Sequence, residues 1–269
     1  MSEEKISEEE ISAWKYLCRA YLDLQQLRMS CYHRLRKMKE AKAPQWLIQI
    51  MEDHYQTLKA EEKDLLEDIS VKMKEKQPLL YSWCENVKGL GVVACLMFLG
   101  FINPLICDTA GKAKAYFGVV PGAKLKAGKK GKYNPHAKGR LWLITRNVIM
   151  QKDDYYYPLF QKKKEYYLNT RRKVFRNGKW IDFPPFKEII ANPKICPRFE
   201  ECERGRKAKA ERLKRKAKKP ACKLHVHMMS VIWLAGILVS HAAELYRESL
   251  GLPTDNFKAH KDYIPPKPF

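Results

Sequence analysis

Apolar residues recur at helical spacing in two long segments near the start of the chain. They fall three and four positions apart through residues 7–39, and the same pattern repeats through residues 45–75. Pro44 separates the two segments and suits the first turn of a new helix. The pattern predicts two long antiparallel helices that form a coiled-coil-like hairpin over residues 1–78, and the ordinary role of such a hairpin is dimerisation or spacing.

A more apolar pattern follows in residues 79–106. It predicts a short helix, a turn at Lys88-Gly89-Leu90-Gly91, and an apolar helix. A helix-hairpin-helix has this pattern, because its glycines permit a tight turn and expose N–H groups that suit a DNA phosphate. Lys88, Gly89 and Gly91 are the candidate contacts, and they would carry no base specificity. A plain turn between two packed helices gives the same pattern.

A Gly- and Lys-rich loop separates two further helices. Residues 110–121 predict a short helix that closes at Gly118, and residues 139–151 predict another helix. Residues 122–140 between them are too polar to pack and suit a phosphate backbone, although a solvated loop is the alternative. The candidate contacts from this region are Lys124, Lys126, Lys129, Lys130, Lys132, Lys138 and Arg140.

Tyrosines alternate with basic residues in residues 152–190. In one interpretation the tyrosines stack on bases while Lys and Arg hold phosphates. In the more ordinary interpretation, about half of the tyrosines belong to the core. Residues 174–181 predict a small β-hairpin with an Asn-Gly turn. Residues 223–250 predict a last apolar helix, which ends at Gly251.

The charge of the chain is strongly positive and unevenly distributed. Its 269 residues carry 52 Lys and Arg against 30 Asp and Glu, a formal net charge of +22. Residues 1–80 hold 14 basic and 15 acidic side chains, so the surplus lies after them. Residues 109–152 contain 11 basic side chains and no acid, and residues 204–219 form a second basic block. The distribution favours a polyanionic partner, with nucleic acid ahead of a membrane surface.

Targeting and redox signals are consistent with that partner. The start, MSEEKISEEE, is acidic and has no apolar signal region, so no signal peptide is expected. The apolar stretches 92–102 and 228–239 are shorter than a membrane span and predict buried helices. Eight cysteines in such a chain indicate thiols or metal ligands instead of disulfides. We expect an intracellular, DNA-associated protein of the nucleoid or cytoplasm, with no membrane partner.

Four residues late in the chain have the donor atoms of a zinc site. Cys196, Cys202, Cys222 and His225 follow the pattern C-x5-C-x19-C-x2-H, with His227 as an alternative fourth ligand. Thiolate and imidazole donors suit tetrahedral Zn²⁺, and four protein ligands make a structural site without an open position. Metal would explain how a Lys-rich segment holds its shape. Four unrelated residues are the alternative, because neither half is a C-x2-C pair.

Residues 86–150 resemble the C-terminal domain of transposases of the insertion-sequence 110/116/902 family. The similar strings are NVKGLGVVACLMFLGFI, AKAYFGVVPG and, after the basic loop, GRLWLI, and they occur in the family's order. Residues 114–121 fit one family motif well, and residues 138–141 fit another less fully. The last predicted helix corresponds to the family's closing helix, and the Cys/His segment resembles an archaeal-type insert. The resemblance implies binding of double-stranded or branched DNA, with structured RNA as a further candidate.

The chain also departs from that family at the positions that cut DNA. Family members begin with a RuvC-like nuclease domain that carries four acidic metal ligands, whereas this chain opens with the helical hairpin. The family's serine nucleophile aligns with Ala127, and alanine cannot attack a phosphodiester. Tyr133 and Thr109 are the nearest hydroxyl side chains. We therefore predict no catalytic residue and no catalytic metal.

Together these patterns predict a mainly α fold. Its parts are the hairpin of residues 1–78, a transposase-like helix-hairpin-helix domain, a basic insert with the zinc element, and an extended tail. The domain comprises residues 79–155 with 222–251, the insert residues 156–221, and the tail residues 252–269. The leading hypothesis is a DNA-binding protein that dimerises through the hairpin. The alternatives are a recombinase subunit that completes its site in trans and an RNA- or ribosome-associated zinc-binding protein.

Overall fold

The computed structural model of the chain is mainly helical, which confirms the predicted fold class. It describes residues 8–120, 133–176, 178–214, 216 and 222–258. The helices are α1 (Glu8–Glu40), α2 (Gln45–Lys76), α3 (Pro78–Asn86), α4 (Gly91–Phe101), α5 (Ala110–Tyr116), α6 (Pro135–Met150), α7 (Tyr156–Asn169), α8 (Phe186–Ala191), α9 (Phe199–Arg212), α10 (Cys222–Ser249) and α11 (Asp255–Lys258). The strands are β1 (Arg172–Arg176) and β2 (Lys179–Phe183), and a 3-10 turn covers Pro193–Ile195.

The described residues divide into two compact units. The first unit takes those within Met1–Gln151 and Gly236–Phe269, and the second takes those within Lys152–Ala235. The sequence pattern predicts a boundary at residue 78. In the structure the two segments on either side of that position belong to the first unit, because α1 packs on α4 as well as on α2.

Helices α1 and α2 run antiparallel and are joined by buried and charged contacts. Lys39, near the end of α1, pairs with Glu52 near the start of α2 at 2.5 Å. Tyr21, earlier on α1, donates a hydrogen bond to Glu62, later on α2, at 3.2 Å. Arg28 also pairs with Glu62. Burial, together with the Glu62 carboxylate, raises the pKa of Tyr21 to about 12, so its hydroxyl stays a donor at neutral pH.

Helix α4 forms the centre of the first unit. Residues 94–99 are all buried, and the helix has apolar side chains on every side, which is typical of a helix enclosed by others. It meets α1 at Gly100, where an added Cβ would lie 2.3 Å from Cys18 Cβ. The Cys18 and Met97 sulfurs are 3.9 Å apart at this crossing. Two helices this close leave no room for any side chain at residue 100.

The second half of α10 completes the core of the first unit. Leu238, Val239 and Tyr246 are fully buried there. Beyond the helix, Gly251 adopts φ +66°, in agreement with the predicted end. Arg247 turns back and donates hydrogen bonds to the carbonyl of Pro253 at 3.0 and 2.9 Å and to that of Pro104.

By length and composition, α10 could also cross a membrane. Its 28 residues form one continuous helix, although the apolar stretch 228–239 predicted from the sequence is too short for a span. Within the part of the chain that the structure describes, it is the one helix that meets this criterion. Because 72% of its most apolar window is buried inside the protein, the same composition also fits a core helix.

The second unit is built around a small hairpin and the first half of α10. Strands β1 and β2 pair antiparallel with Val174 opposite Ile181, which confirms the hairpin predicted from the sequence. Gly178 supplies the positive φ of its turn at +78°, while Asn177 lies outside the described residues. One apolar cluster of this unit consists of four buried side chains, those of Phe183, Phe186, Ile189 and Val226.

The crossing of α1 and α4 generates a stability prediction. Gly100→Ala places a Cβ on Cys18, so we expect the free energy of unfolding to fall by about 1–3 kcal/mol. Urea unfolding followed by circular dichroism measures the change.

Gly139→Ala in α6 is the matched control. Nothing lies within 4 Å of its added Cβ, so we expect the free energy of unfolding not to fall. Helix propensity should raise it by up to about 1 kcal/mol. Equal midpoints for the two variants would show that α1 does not press on α4 at Gly100.

Candidate functional site

The turn between α3 and α4 contains the first group of predicted contacts. Gly89 adopts φ +95°, and an added Cβ would lie 2.7 Å from the backbone carbonyl of Asn147 on α6. This glycine is therefore required by close packing of the turn on α6, whatever the turn binds. Lys88 beside it is exposed.

The start of α4 is more open than the turn that precedes it. Gly91 adopts φ +69° with nothing within 4 Å of an added Cβ. Leu90 occupies the N-cap position, and no side chain caps the helix. Val93, in the first turn, is exposed. An uncapped helix start near the surface suits an anion, and the phosphate contact proposed for it stays a prediction.

The described residues on either side of the basic loop lie together. Asn134 donates from its backbone N–H to the Tyr116 carbonyl at 2.9 Å and from its side chain to the Tyr116 hydroxyl at 3.0 Å. The ring of Tyr133 packs on Gly118, where an added Cβ would lie 2.6 Å from it. The end of α5 therefore meets the start of α6, and Tyr133 has a packing role at this junction.

The basic loop itself falls outside the described residues. Five predicted contacts belong to it, namely Lys124, Lys126, Lys129, Lys130 and Lys132, and so does Ala127 at the position of the family's serine. These assignments stay predictions. Thr109, the other hydroxyl near the loop in sequence, caps α5 and accepts a hydrogen bond from the Lys112 N–H at 3.1 Å.

A groove of about 770 Å³ lies between α1, the end of α4 and the start of α6. Four basic side chains line it, those of Lys15, Arg19, His136 and Arg140, together with the tyrosines Tyr16 and Tyr116. Among the described residues that line the groove, Asp23 is the acidic one. A concave surface with this balance concentrates positive potential and attracts anions.

Two of the predicted contacts are held at this groove or next to it. Arg140 donates a hydrogen bond to the side-chain carbonyl of Gln25 on α1 at 3.2 Å. Lys138 lies over the ring of Tyr133, with its ammonium 4.6 Å from the ring centroid. Neither contact removes the positive charge, because the partners are an amide and an aromatic ring.

Sequence reasoning missed the groove residues of α1. Lys15 and Arg19 are four positions apart and share one face of the helix. From the sequence, the hairpin is a near-neutral segment without a predicted DNA contact. Nothing local to the hairpin indicates that this face meets Arg140, which lies more than 100 residues later.

The cysteine and histidine residues of the predicted zinc element fall in the second unit. Cys196 directly follows the 3-10 turn, Cys202 lies on α9, and Cys222 begins α10. Burial raises the pKa of Cys222, and the thiolates of Cys196 and Cys202 raise it further. The three thiols are therefore near enough to interact electrostatically. Cys196 and Cys222 also pack on the same apolar cluster.

His225, and not His227, lies beside the apolar cluster on which the cysteines pack. The His225 ring meets the edge of Phe186 at 5.6 Å between centroids, and Phe186 belongs to that cluster. The ring of His227 instead meets Phe160. The His225 side chain is exposed in part, but its partial desolvation, with Arg198 and Arg172, lowers its pKa. A neutral imidazole is the form that binds metal.

These thiols do not yet stand in a coordination arrangement. Within the described ranges, no three His, Cys, Asp or Glu side chains are grouped closely enough to hold a metal ion. The pKa relations thus show proximity without ligand geometry, and the zinc assignment stays a prediction.

Comparison with known proteins gives no relative for this chain. No family model matches it, and no curated protein or solved structure matches it either.

The junction of α5 and α6 generates a second prediction. Asn134 caps α6 by accepting hydrogen bonds from His136 N–H at 3.0 Å and Ala137 N–H at 3.2 Å. Asn134→Ala should lower the free energy of unfolding by about 1 kcal/mol, because these donors lose their partner. Asn134→Asp keeps the acceptor, so it should remain near wild type in the same thermal and urea unfolding experiments. A destabilised Asp variant would mean that the amide, and not the cap, is what matters.

Proposed function

We propose that this chain is a DNA-binding protein that grips the phosphate backbone and does not cut DNA by itself. The observation that carries the proposal is the groove of the first unit. It brings Lys15, Arg19 and Arg140 to one concave surface beside the start of α6. Residues 109–152 contain 11 basic side chains and no acid, and most of these basic residues are close in sequence to the start of α6.

The chemistry of the groove favours a nucleic-acid backbone over a small anion. Several cations spread along a surface, outnumbering the one carboxylate of Asp23 among its described lining residues, match a linear array of phosphates. Tyr16 and Tyr116 add aromatic faces that can pack on sugars. Such contacts give affinity without base specificity, so the protein would distinguish DNA by shape or charge.

A relation to the insertion-sequence 110/116/902 transposases belongs to the same proposal. The order of elements in the first unit supports it: α3, a Gly-containing turn, α4, the short α5, the basic loop, α6, and a closing apolar helix. In that relation, α3 and α4 act as a helix-hairpin-helix. The uncapped start of α4 would then add a backbone contact beside Lys88. Alanine at residue 127 removes the nucleophile that such a domain supplies.

A homodimer through α1 and α2 completes the proposal. Trp46 and Ile50 lie one turn apart at the start of α2 and are 66% and 57% exposed. Large apolar side chains at this spacing suit a helix–helix contact with a second copy of the hairpin.

We also propose that Cys196, Cys202, Cys222 and His225 hold one structural Zn²⁺. Burial and the neighbouring thiolates of Cys196 and Cys202 raise the pKa of Cys222, and a divalent cation bound among the three sulfurs would offset that repulsion. The ion would fasten the 3-10 turn and α9 to the start of α10. Residues 204–219 of this segment are rich in Lys and Arg, and a bound metal would help such a segment to hold its shape.

The DNA proposal is tested by removing one charge at a time. Arg140→Gln should weaken binding to a short DNA duplex about tenfold, because it removes a charged donor from the groove. For wild type, log affinity should fall linearly with log salt concentration, with a slope near −0.9 for each phosphate contact. Fluorescence anisotropy at several salt concentrations measures both.

Arg36→Gln is the matched control for that experiment. Arg36 is exposed on α1 away from the groove and pairs with Glu40 at 3.3 Å. Arg36→Gln removes the same charge as Arg140→Gln. Because Arg36 does not line the groove, its loss should change affinity for DNA by less than about threefold. A salt-independent complex, or equal losses in the two variants, would refute backbone binding at the groove.

The zinc proposal predicts about one zinc per chain in purified protein. Cys222→Ser and His225→Ala should reduce that stoichiometry, whereas His227→Ala should not. Affinity should rise with pH, because the raised pKa of Cys222 means that binding must displace its proton. Inductively coupled plasma mass spectrometry and a chelator competition give these numbers. Retention of zinc after Cys196→Ser or Cys222→Ser would remove this site from consideration.

A further inference from the structure

A second group of cations lies in the second unit, and aromatic rings hold it. The ammonium of Lys163 on α7 lies 4.5 Å from the ring centroid of Tyr166 and 5.2 Å from those of Tyr167 and Trp233. The guanidinium of Arg172 on β1 lies 4.9 Å from the ring centroids of both Tyr167 and Phe186. Tyr167 is therefore shared by the two cations.

Carboxylates do not neutralise this pair. Within the described residues, no ion pair joins Lys163 or Arg172 to an acidic side chain, and the buried Nε of Arg172 has no hydrogen-bond partner. The contrast with the helical hairpin is direct, since Arg28 and Lys39 there each pair with a glutamate. Aromatic faces attract a cation and fix its position, but they leave its net charge in place.

The two charges also act on each other. Burial lowers the pKa of Lys163, and the neighbouring Arg172 lowers it further. Burial likewise lowers the pKa of Arg172. Two like charges held side by side in this way are costly to the folded protein on its own, and an anion placed against both would relieve the repulsion.

We propose that Lys163 and Arg172 form an oxyanion site that takes a phosphate group of a nucleic-acid backbone. Lys163 has three N–H donors and Arg172 has a planar fork, so together they match the several acceptor oxygens of one phosphate. Tyr166 is 45% exposed beside them and offers a ring for the adjacent sugar or base.

This inference rests on the proposed function, because it takes nucleic acid as the source of the phosphate. It extends that function to the second unit, whose own basic block covers residues 204–219. Among the tyrosines of residues 152–190, it assigns the fully buried Tyr156 to the core and the exposed Tyr166 to the interface.

The test compares three variants of the full chain. Lys163→Gln removes the charge from the aromatic cluster, and Lys163→Arg restores it. Lys162→Gln removes an exposed charge one position earlier on α7 and is the matched control. Each protein is titrated with a short DNA duplex and, separately, with inorganic pyrophosphate, while NMR follows the side-chain ammonium signal that Lys163→Gln removes.

Lys163→Gln should weaken duplex binding about tenfold and reduce the salt slope by about 0.9. Lys162→Gln should cost less than about threefold, and Lys163→Arg should bind like wild type. Pyrophosphate should shift the Lys163 ammonium signal in wild type and in Lys162→Gln.

The outcomes separate the two proposals. If DNA binds but Lys163→Gln and Lys162→Gln weaken it equally, the site is refuted while DNA binding stands. If the Lys163 signal responds to pyrophosphate but no duplex binds, the oxyanion site stands with free phosphate compounds as its ligand, and DNA binding fails. If neither ligand moves the signal, the site is refuted outright.

Discussion

The close crossing of α1 and α4 at Gly100 is the constraint on which the first unit depends. Because residue 100 has no side chain, α1 lies directly against the buried helix at Cys18. That approach places Lys15 and Arg19 opposite Arg140, and the groove is the space left between them. A bulkier residue at position 100 would separate the helices and widen the surface on which these cations converge. The shape of the candidate interface is thus a consequence of core packing.

The candidate sites in the two units share one property, which is positive charge that no carboxylate among the described residues neutralises. In the helical hairpin, basic residues such as Arg28 find carboxylates, and that segment is close to neutral. At the groove and at the Lys163 cluster, amide oxygens and aromatic rings hold the cations instead. Such partners fix geometry without cancelling charge, so each site keeps its attraction for a polyanion. This arrangement is the one that the proposed binding of a phosphate backbone requires.

Much of the helical framework could be predicted from the sequence. The periodicity of apolar residues gave both long helices to within about two residues, the Asn-Gly signal gave the small hairpin, and Gly251 marked the end of α10. The start of α6 was placed four residues late, because its signals, an Asn134 cap and Pro135, precede the apolar pattern. Local charge alone was enough to name Arg140 and Lys138 as candidate contacts.

Periodicity, caps and charge runs are local properties, and they determined the mainly α class, the helix limits and the positive charge of the segments proposed to bind a partner. The neighbours of each side chain are not local properties. Only the tertiary structure places Lys15 and Arg140 at one groove, and only it places Tyr167 against both Lys163 and Arg172. It also distinguishes the two histidines, because His225 contacts Phe186 whereas His227 contacts Phe160. These groups come from distant parts of the chain, from a helix and the strand that follows it, or from opposite faces of one helix. Their contacts follow from how helices pack, which a one-dimensional pattern does not specify.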